Sequence, residues 1–187
     1  MMRIITGTAR GTKLATLDGE ATRPTTERVK EAIFSMIQFD LADAMVLDLF
    51  AGSGQLGLEA LSRGAGKAHL VDRSAEAVDI IKKNAQKTHL WERCRLVLSD
   101  YAEYLRVSKG KFKFDFVFLD PPYGSGMLQK ALAMLPDCDL LADGAWIFCE
   151  DETEDLFGGD EELAAKFNVE KQNRYGRVYI TVLSLRK

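Results

Sequence analysis

Apolar positions along most of the chain change repeatedly between strand-like runs and helix-like spacing. Met45–Phe50 is a short, largely apolar run, whereas Ala77, Ile80, Ile81 and Ala85 recur at the spacing of one helix face. Strands separated by helices of this length need crossover connections, which make a sheet parallel. We predict strands at 45–50, 68–72, 95–98, 114–119 and 145–149, and helices at 55–63, 74–89, 101–107 and 125–135.

Both ends of the chain depart from this alternation. Residues 2–14 alternate weakly and contain two glycines, which predicts a short hairpin, and a helix is expected to begin at Pro24 or Thr25. The apolar runs 167–172 and 177–185 are joined by so short a segment that they must pair antiparallel. The pattern therefore predicts an α/β fold with a seven-stranded, mostly parallel sheet, a C-terminal antiparallel hairpin and a small N-terminal hairpin and helix. Such a sheet is typical of Rossmann-like methyltransferases and not of plain dinucleotide-binding domains.

Composition narrows the class of protein. The 187 residues, 47% hydrophobic and 28% charged, match one compact globular domain. The N terminus has no apolar run like that of a signal peptide, and no stretch reaches membrane-spanning length, so we expect a cytoplasmic protein without a membrane partner. None of the three cysteines forms a CxxC pair, so we predict no metal site.

Charge is unevenly distributed along the chain. The net charge is −3, but residues 1–30 contain six basic and three acidic side chains, a net of +3, so the remainder sums to −6. A basic N-terminal arm on an acidic body suits a polyanionic partner bound at one face, although ordinary surface charge explains it equally well. We divide the chain into an arm at 1–40, which would bind RNA, and a catalytic domain at 41–187.

A glycine-rich loop follows the first predicted strand. Residues 52–57 match the pattern G-x-G-x-x-G, in which glycines allow a tight turn and close approach of a ligand. Asp72 stands 20 residues after Gly52, at the end of the second strand, where a carboxylate can bind two ribose hydroxyls. Both NAD and S-adenosylmethionine contain such a ribose, so the loop alone does not choose between them.

Two further carboxylates bear on the choice of cofactor. Asp48, just before the loop, would repel a pyrophosphate but suits the ammonium and sulfonium of S-adenosylmethionine; its alternative role is to bond loop amides. Asp100 could accept a hydrogen bond from the adenine amino group, or could cap the helix at 101–107. The predicted cofactor residues are Asp48, Phe50, Ala51, Gly52, Ser53, Gly54, Asp72, Arg73, Asp100 and Tyr101.

The fourth predicted strand ends in Asp120-Pro121-Pro122-Tyr123, at the same sheet edge as the glycine loop. Two prolines remove backbone donors, so hydrogen-bond acceptors dominate this segment and suit an amino group with two N–H donors. Such bonds can turn a delocalised, poorly nucleophilic amine toward a methyl donor, and Tyr123 offers a face for base stacking. We predict these four residues as catalytic; a proline-stiffened turn is the structural alternative.

Three more blocks carry a family resemblance. They are Arg3–Gly7 with Arg10-Gly11, Thr22–Thr25 with Arg28–Ala32, and the segment from Asp48 to Ala65 that reads DLFAGSGQLGLEALSRGA. Together with the Asp-Pro-Pro-Tyr segment, they make the chain resemble the bacterial 16S ribosomal RNA guanine-N2 methyltransferases. Gln55, where a small residue is expected, and Ser35, where Asn is expected, depart from the family pattern.

The resemblance implies S-adenosylmethionine as cofactor and one guanine of 16S ribosomal RNA, or of the small ribosomal subunit, as substrate. It implies that Thr22–Thr25 flanks the active site, and we expect a monomer. Adenine N6 methylation of DNA or RNA, an NAD-dependent dehydrogenase, and a non-catalytic RNA-binding protein are the alternatives. The predicted RNA-binding residues are Arg3, Arg10, Lys13, Arg23, Pro24, Thr25, Arg28 and Lys30.

Overall fold

A computed structural model describes residues 2–17 and 26–186 and contains a seven-stranded sheet. The strands are β1 (Met45–Asp48), β2 (Lys67–Asp72), β3 (Cys94–Leu98), β4 (Phe114–Leu119), β5 (Leu141–Asp151), β6 (Phe167–Tyr175) and β7 (Val178–Leu185). Their order across the sheet is β3-β2-β1-β4-β5-β7-β6. The first five strands pair in parallel, and β7 pairs antiparallel with both β5 and β6. The predicted fold class is thus confirmed.

Strand β5 is longer than the sequence pattern indicates, 141–151 instead of 145–149. Leu141 pairs with Phe114 before a register shift in β4, and Glu150 and Asp151 pair with β7 at the other end. Hydrogen bonding to two neighbours therefore extends the strand into polar residues that local hydrophobicity cannot identify.

Six α-helices in the described part of the chain cover the two faces of the sheet. They are α1 (Thr26–Met36), α2 (Gln55–Ser62), α3 (Ala75–Lys87), α4 (Tyr101–Ser108), α5 (Met127–Met134) and α6 (Glu161–Ala164). Successive strand residues alternate between two core clusters, as Val46 and Leu47 do. One cluster contains apolar side chains of α1, α2 and α3, and the other those of α4, α5 and α6. No helix among residues 2–17 and 26–186 is long and apolar enough to span a membrane.

The N-terminal segment 2–17 forms the expected hairpin in minimal form, with one antiparallel bridge between Arg3 and Lys13. It is packed against the domain and is not a free arm. The Glu59 carboxylate, fully buried on α2, accepts hydrogen bonds from the amides of Ile5 (2.8 Å) and Thr6 (3.0 Å). These bonds fix the segment along α2.

The tip of this hairpin lies at the far end of α2. The Thr8 amide donates to the carbonyl of Ser62, the last residue of α2. Because α2 leaves the carboxyl end of β1 and returns toward the start of β2, its last turn lies at the amino edge of the sheet. Arg10, in the hairpin tip, is therefore on the side opposite the carboxyl ends of the parallel strands.

His69 gives the folded state a pH dependence. It is fully buried in β2, its Nδ1 lies 2.7 Å from the Tyr104 hydroxyl, and its ring contacts Phe112 and Phe114 edge to face. Burial, with the nearby charges of Arg95 and Lys67, lowers the pKa of His69 from 6.5 to about 4. Protonation of this imidazole therefore favours the unfolded chain.

We predict that stability, complete above pH 6.5, falls as the pH decreases from 6.5 toward 4, because the unfolded state then binds more protons. The contribution of His69 across this range is about 3 kcal/mol, at about 1.4 kcal/mol per pKa unit. Urea unfolding at pH 7.5 and 5.5 should show a smaller decrease for His69→Gln than for the wild type. His89→Gln, at an exposed histidine, is the matched control; equal slopes in all three proteins would contradict the prediction.

Candidate active site at the carboxyl edge of the sheet

Carboxylates end or follow four neighbouring parallel strands. Asp48 ends β1, Asp72 ends β2, Asp100 follows β3 and Asp120 follows β4. Asp48 lies opposite Leu70 of β2 and Phe118 of β4, so the strand ends are in register. The edge is therefore acidic, which suits a cationic ligand.

The glycine loop between β1 and α2 has the backbone shape that its sequence predicts. Gly54 has φ +79° and begins α2 with no side-chain cap of its own. A Cβ at Gly54 would approach Ile81 Cγ2 to 3.0 Å, and one at Gly57 would approach Leu70 Cδ2 to 2.2 Å. These glycines let the loop turn tightly and let α2 pack closely on the sheet.

Asp72 joins the end of β2 to the glycine loop. Its Oδ2 accepts from the Gly52 amide at 2.9 Å and its Oδ1 from the Ser74 amide at 2.8 Å. Arg73, the next residue, is exposed. The 20-residue spacing between Gly52 and Asp72 thus brings the loop and the carboxylate into contact, and the ribose role of Asp72 stays a prediction.

Two predicted cofactor residues have structural contacts. Asp48 is buried, and its Oδ2 accepts from the Gly57 amide at 3.1 Å, which is the alternative role considered for it. Ser53 is buried too, and its hydroxyl lies 3.1 Å from the Met2 sulfur. The Ser53 side chain therefore faces the N-terminal segment, so only its backbone can serve a ligand in the loop.

The adenine end of the predicted cofactor site is aromatic. The rings of Phe50 and Tyr101 lie 5.2 Å apart, and the Ala51 amide beside them donates to Val71. Burial and the charge of Asp100 raise the pKa of Tyr101. Asp100 accepts from the Ala102 amide at 2.8 Å, so it caps α4, the alternative role considered for it.

The predicted catalytic segment follows β4. Pro121 is buried, Pro122 is exposed, and the hydroxyl of the half-buried Tyr123 donates to Glu150 at 2.5 Å. Leu119 pairs with Cys149, which makes Asp120 and Glu150 the next residues on adjacent strands. Sequence reasoning missed Glu150, because nothing local distinguishes it from the acidic run that follows.

The predicted RNA-binding residues separate into three groups. Arg3, Arg10, Lys13 and Arg28 are exposed, and Arg3 pairs with Glu27 at 3.1 Å. Arg23, Pro24 and Thr25 lie outside the described residues. The prediction for Lys30 is wrong. Its ammonium is buried, donates to the Arg3 carbonyl at 2.6 Å and lies 3.6 Å from Glu59, so it cannot reach a phosphate.

Two buried polar residues that the sequence analysis missed, Glu59 and Asn84, connect the N-terminal segment to the elements around the glycine loop. Glu59 accepts the N-terminal amides and pairs with Arg63 at 2.8 Å as well as with Lys30. Asn84 donates to the carbonyls of Ala15 and Ser53, which links the N-terminal segment to the glycine loop. A single Glu within the apolar helix 55–62 is a signal in the sequence for a buried charge. No local pattern indicates that Asn84 is buried.

The carboxylates of this edge fit S-adenosylmethionine. The carboxylates complement its ammonium and sulfonium, and Asp72 complements its ribose. A pyrophosphate would meet the same carboxylates unfavourably. Within residues 2–17 and 26–186, no three His, Cys, Asp or Glu side chains group as metal ligands would.

The strand order, the glycine loop after β1 and the Asp-Pro-Pro-Tyr segment after β4 define a Rossmann-like, S-adenosylmethionine-dependent methyltransferase. The chain belongs to the family described as conserved hypothetical protein 95, whose model matches residues 2–184. The family resemblance identified in the sequence is thereby confirmed.

Curated relatives agree with this assignment. Ribosomal RNA small subunit methyltransferase D of Escherichia coli is 38% identical over 177 residues, which cover 95% of this chain and 86% of that protein. The protein of the same name from Haemophilus influenzae is 36% identical over 152 residues, covering 81% of this chain and 79% of its own.

Solved structures share the fold. The structure of yhhF from Escherichia coli has a TM-score of 0.86 at 37% identity and covers 99% of this chain and 98% of its own. A ribosomal protein L11 methylase from Lactobacillus delbrueckii, only 19% identical, has a TM-score of 0.68, covers 83% of this chain and 77% of its own, and shares the fold.

For cofactor binding, we predict that Asp72→Ala weakens S-adenosylmethionine affinity by roughly 1.5–3 kcal/mol, because charge-assisted ribose bonds are lost. Asp72→Asn should be milder, since its amide retains an acceptor. Calorimetry would measure both, with exposed Asp79→Asn on α3 as the control. Unchanged affinity in the folded Ala variant would assign Asp72 a structural role only, and NAD binding without S-adenosylmethionine binding would overturn the cofactor assignment.

Proposed function

We propose that this chain transfers a methyl group from S-adenosylmethionine to the exocyclic N2 amino group of a guanine in 16S ribosomal RNA. The observation that carries the proposal is the Asp120–Tyr123 segment, which follows β4 beside the end of β1 that leads into the glycine loop. The names of the curated relatives support ribosomal RNA of the small subunit as substrate.

The residues of the catalytic segment would make the amine reactive. Asp120 and the Pro121 carbonyl accept hydrogen bonds from the two N–H groups, which turns the nitrogen lone pair out of conjugation. The bound cofactor supplies an electrophilic methyl on a sulfonium. Asp120 would stabilise the positive charge that nitrogen acquires with the methyl group, S-adenosylhomocysteine would be the leaving group, and the excess proton would pass to water.

The alternatives are less well supported. Adenine N6 methylation would use the same acceptors, but the relatives' names favour ribosomal RNA. A dehydrogenase gives no role to the Asp-Pro-Pro-Tyr segment, and a non-catalytic RNA-binding protein would not need that segment intact. We propose that the chain acts as a cytoplasmic monomer, without a metal, on ribosomal RNA or on the small subunit.

Exposed cations would bind the RNA phosphates. The N-terminal segment offers Arg3, Arg10 and Lys13, α1 offers Arg28, and the turn between β6 and β7 offers the exposed Arg174 and Arg177. The β6–β7 turn lies at the catalytic edge, because β7 runs antiparallel to β5 and its start pairs with Glu150 and Asp151. Phosphate contacts position the RNA, whereas the catalytic segment selects the base.

For catalysis, we predict that Asp120→Ala lowers kcat about 10²- to 10³-fold, because the lost interaction is made in the transition state. S-adenosylmethionine affinity should remain nearly that of the wild type. The assay uses labelled S-adenosylmethionine and ribosomal RNA or subunits that lack the modification, with the methyl then mapped.

Exposed Asp137→Ala, between α5 and β5, is the matched control and should retain full activity. If Asp120→Ala also retained near-wild-type activity, the mechanism would be wrong. A methyl mapped to adenine N6 would replace guanine as the substrate.

For RNA binding, we predict that Arg10→Ala combined with Lys13→Ala weakens affinity and flattens its salt dependence. Each lost phosphate contact should reduce the log–log slope by about 0.7 on single strands and about 0.9 on duplex. The effect should fall on KM more than on kcat, because Arg10 lies away from the catalytic edge. Arg174→Ala with Arg177→Ala is the matched pair; if only that pair changed the slope, the RNA would be gripped at the β6–β7 turn instead.

A further inference from the structure

We propose that Glu150 is a specificity-determining residue, whose carboxylate accepts the N1–H of the target guanine and so excludes adenine. This inference rests on the proposed function and names how the same site distinguishes its substrate from the closest alternative. It also gives a role to an acidic side chain near the end of β5.

The first support is the position of Glu150 beside Asp120. Leu119 of β4 and Cys149 of β5 are register partners, so the two carboxylates follow side by side at the carboxyl edge. Neighbouring strands lie about 4.8 Å apart. Asp120 and Glu150 also line one small pocket under this edge, together with Phe118 and Ile180.

The second support is that Glu150 is held on a rigid element. Its backbone belongs to β5, and it pairs with Ile180 of β7. The Tyr123 hydroxyl donates to Glu150 Oε1 at 2.5 Å, which orients the carboxylate from the catalytic segment itself. A carboxylate has about four acceptor positions, so this bond is compatible with acceptance from a substrate as well.

The third support is the cavity that Glu150 shares with the catalytic segment. It measures about 550 Å³, and Pro122, Tyr123, Glu150, Asp151 and Asp155 contribute to its lining. This size is within the range of small-molecule sites. Its acidic lining repels phosphate, so RNA would present the donor edge of a base to it.

The loop at 153–158, which lines this cavity, is hydrogen-bonded to α5 and β6. Gln129 of α5 donates to the Leu156 carbonyl, and Gln172 of β6 donates to the Glu154 carbonyl, each at 2.9 Å. The side chain of Leu156 is also buried. The wall facing the catalytic segment is therefore anchored at both α5 and β6.

Base chemistry then separates guanine from adenine. Beside its reactive amino group, guanine carries N1–H, a donor, whereas adenine carries N1 with a lone pair. Two adjacent carboxylates can accept from the amine and from N1–H of guanine. With adenine, the second carboxylate would face a lone pair, and a site built to accept a hydrogen bond discriminates strongly against a partner that lacks the donor.

The test uses one RNA with guanine or 2-aminopurine at the target position. 2-Aminopurine keeps the N2 amino group but has a lone pair at N1. We expect the wild type to prefer guanine at least tenfold in kcat/KM. Glu150→Gln, whose amide can donate to that lone pair, should reduce the preference to about threefold or less, with thermal stability retained.

Asp151→Asn is the matched control, because Asp151 lines the same cavity and its carboxylate already accepts from the Glu152 amide and the Thr153 hydroxyl. It should keep the wild-type preference. Comparing the change in preference between variants removes the effect of the missing O6 of 2-aminopurine, since O6 is absent for every variant. Glu150→Leu, with no donor or acceptor, is a second variant and should also lose the preference.

If either folded Glu150 variant kept the full preference for guanine while still methylating it, the role of Glu150 would be overturned and the proposed function would stand. If the wild type methylated no guanine in ribosomal RNA, the proposed function itself would fail. The two failures are therefore distinguishable.

Discussion

Parallel pairing of β2, β1 and β4 brings three strand ends to one edge, and each of these strands ends in or leads into an Asp. Clustered carboxylates repel one another, so each needs donors nearby. Asp48 bonds the Gly57 amide, and Asp72 bonds the amides of Gly52 and Ser74. These contacts stabilise the edge by tying strand ends to the glycine loop and the helices that follow. The remaining negative potential favours a cationic ligand, which S-adenosylmethionine is and a dinucleotide is not.

The carboxylate of Glu59, on α2, links that helix to α1 and to the N-terminal segment. Glu59 is completely buried, and removing one partner of a buried charge leaves the other uncompensated at a cost of several kcal/mol. Lys30, Arg63 and two backbone amides of the N-terminal segment surround it. A single side chain thus joins α1, α2 and the N-terminal segment, and it explains why that segment is packed along the domain and does not extend as an arm.

Local sequence patterns were sufficient to predict the parallel strands, because a strand such as β4 is apolar and bounded by polar residues. They also predicted that Asp72 lies near Gly52, because both residues belong to one βαβ unit. They failed where partners are distant in sequence. Lys30 looked like part of a basic surface, but its partners are Arg3 and Glu59, 27 and 29 positions away. Only the pairing of β4 with β5 and the hydrogen bond from Tyr123 show that Glu150 lies beside the Asp-Pro-Pro-Tyr segment. For Asp48 and Asp100 the structure shows the amide-bonding role of the two weighed for them, and their role in cofactor binding stays a prediction.

The catalytic edge therefore poses an electrostatic problem for an RNA enzyme. Carboxylates that suit a cationic cofactor and the donor edge of a base repel phosphate, so the nucleic acid backbone must be held at the rim of the site. Positive side chains at that rim include Arg174 and Arg177 at the β6–β7 turn, next to the end of β5. Arg10 lies at the opposite edge, where it could grip only a more remote part of a folded RNA. Under the proposed function, base selection would fall to the acidic centre and backbone binding to its surroundings, and the target base would have to leave its stack before it enters.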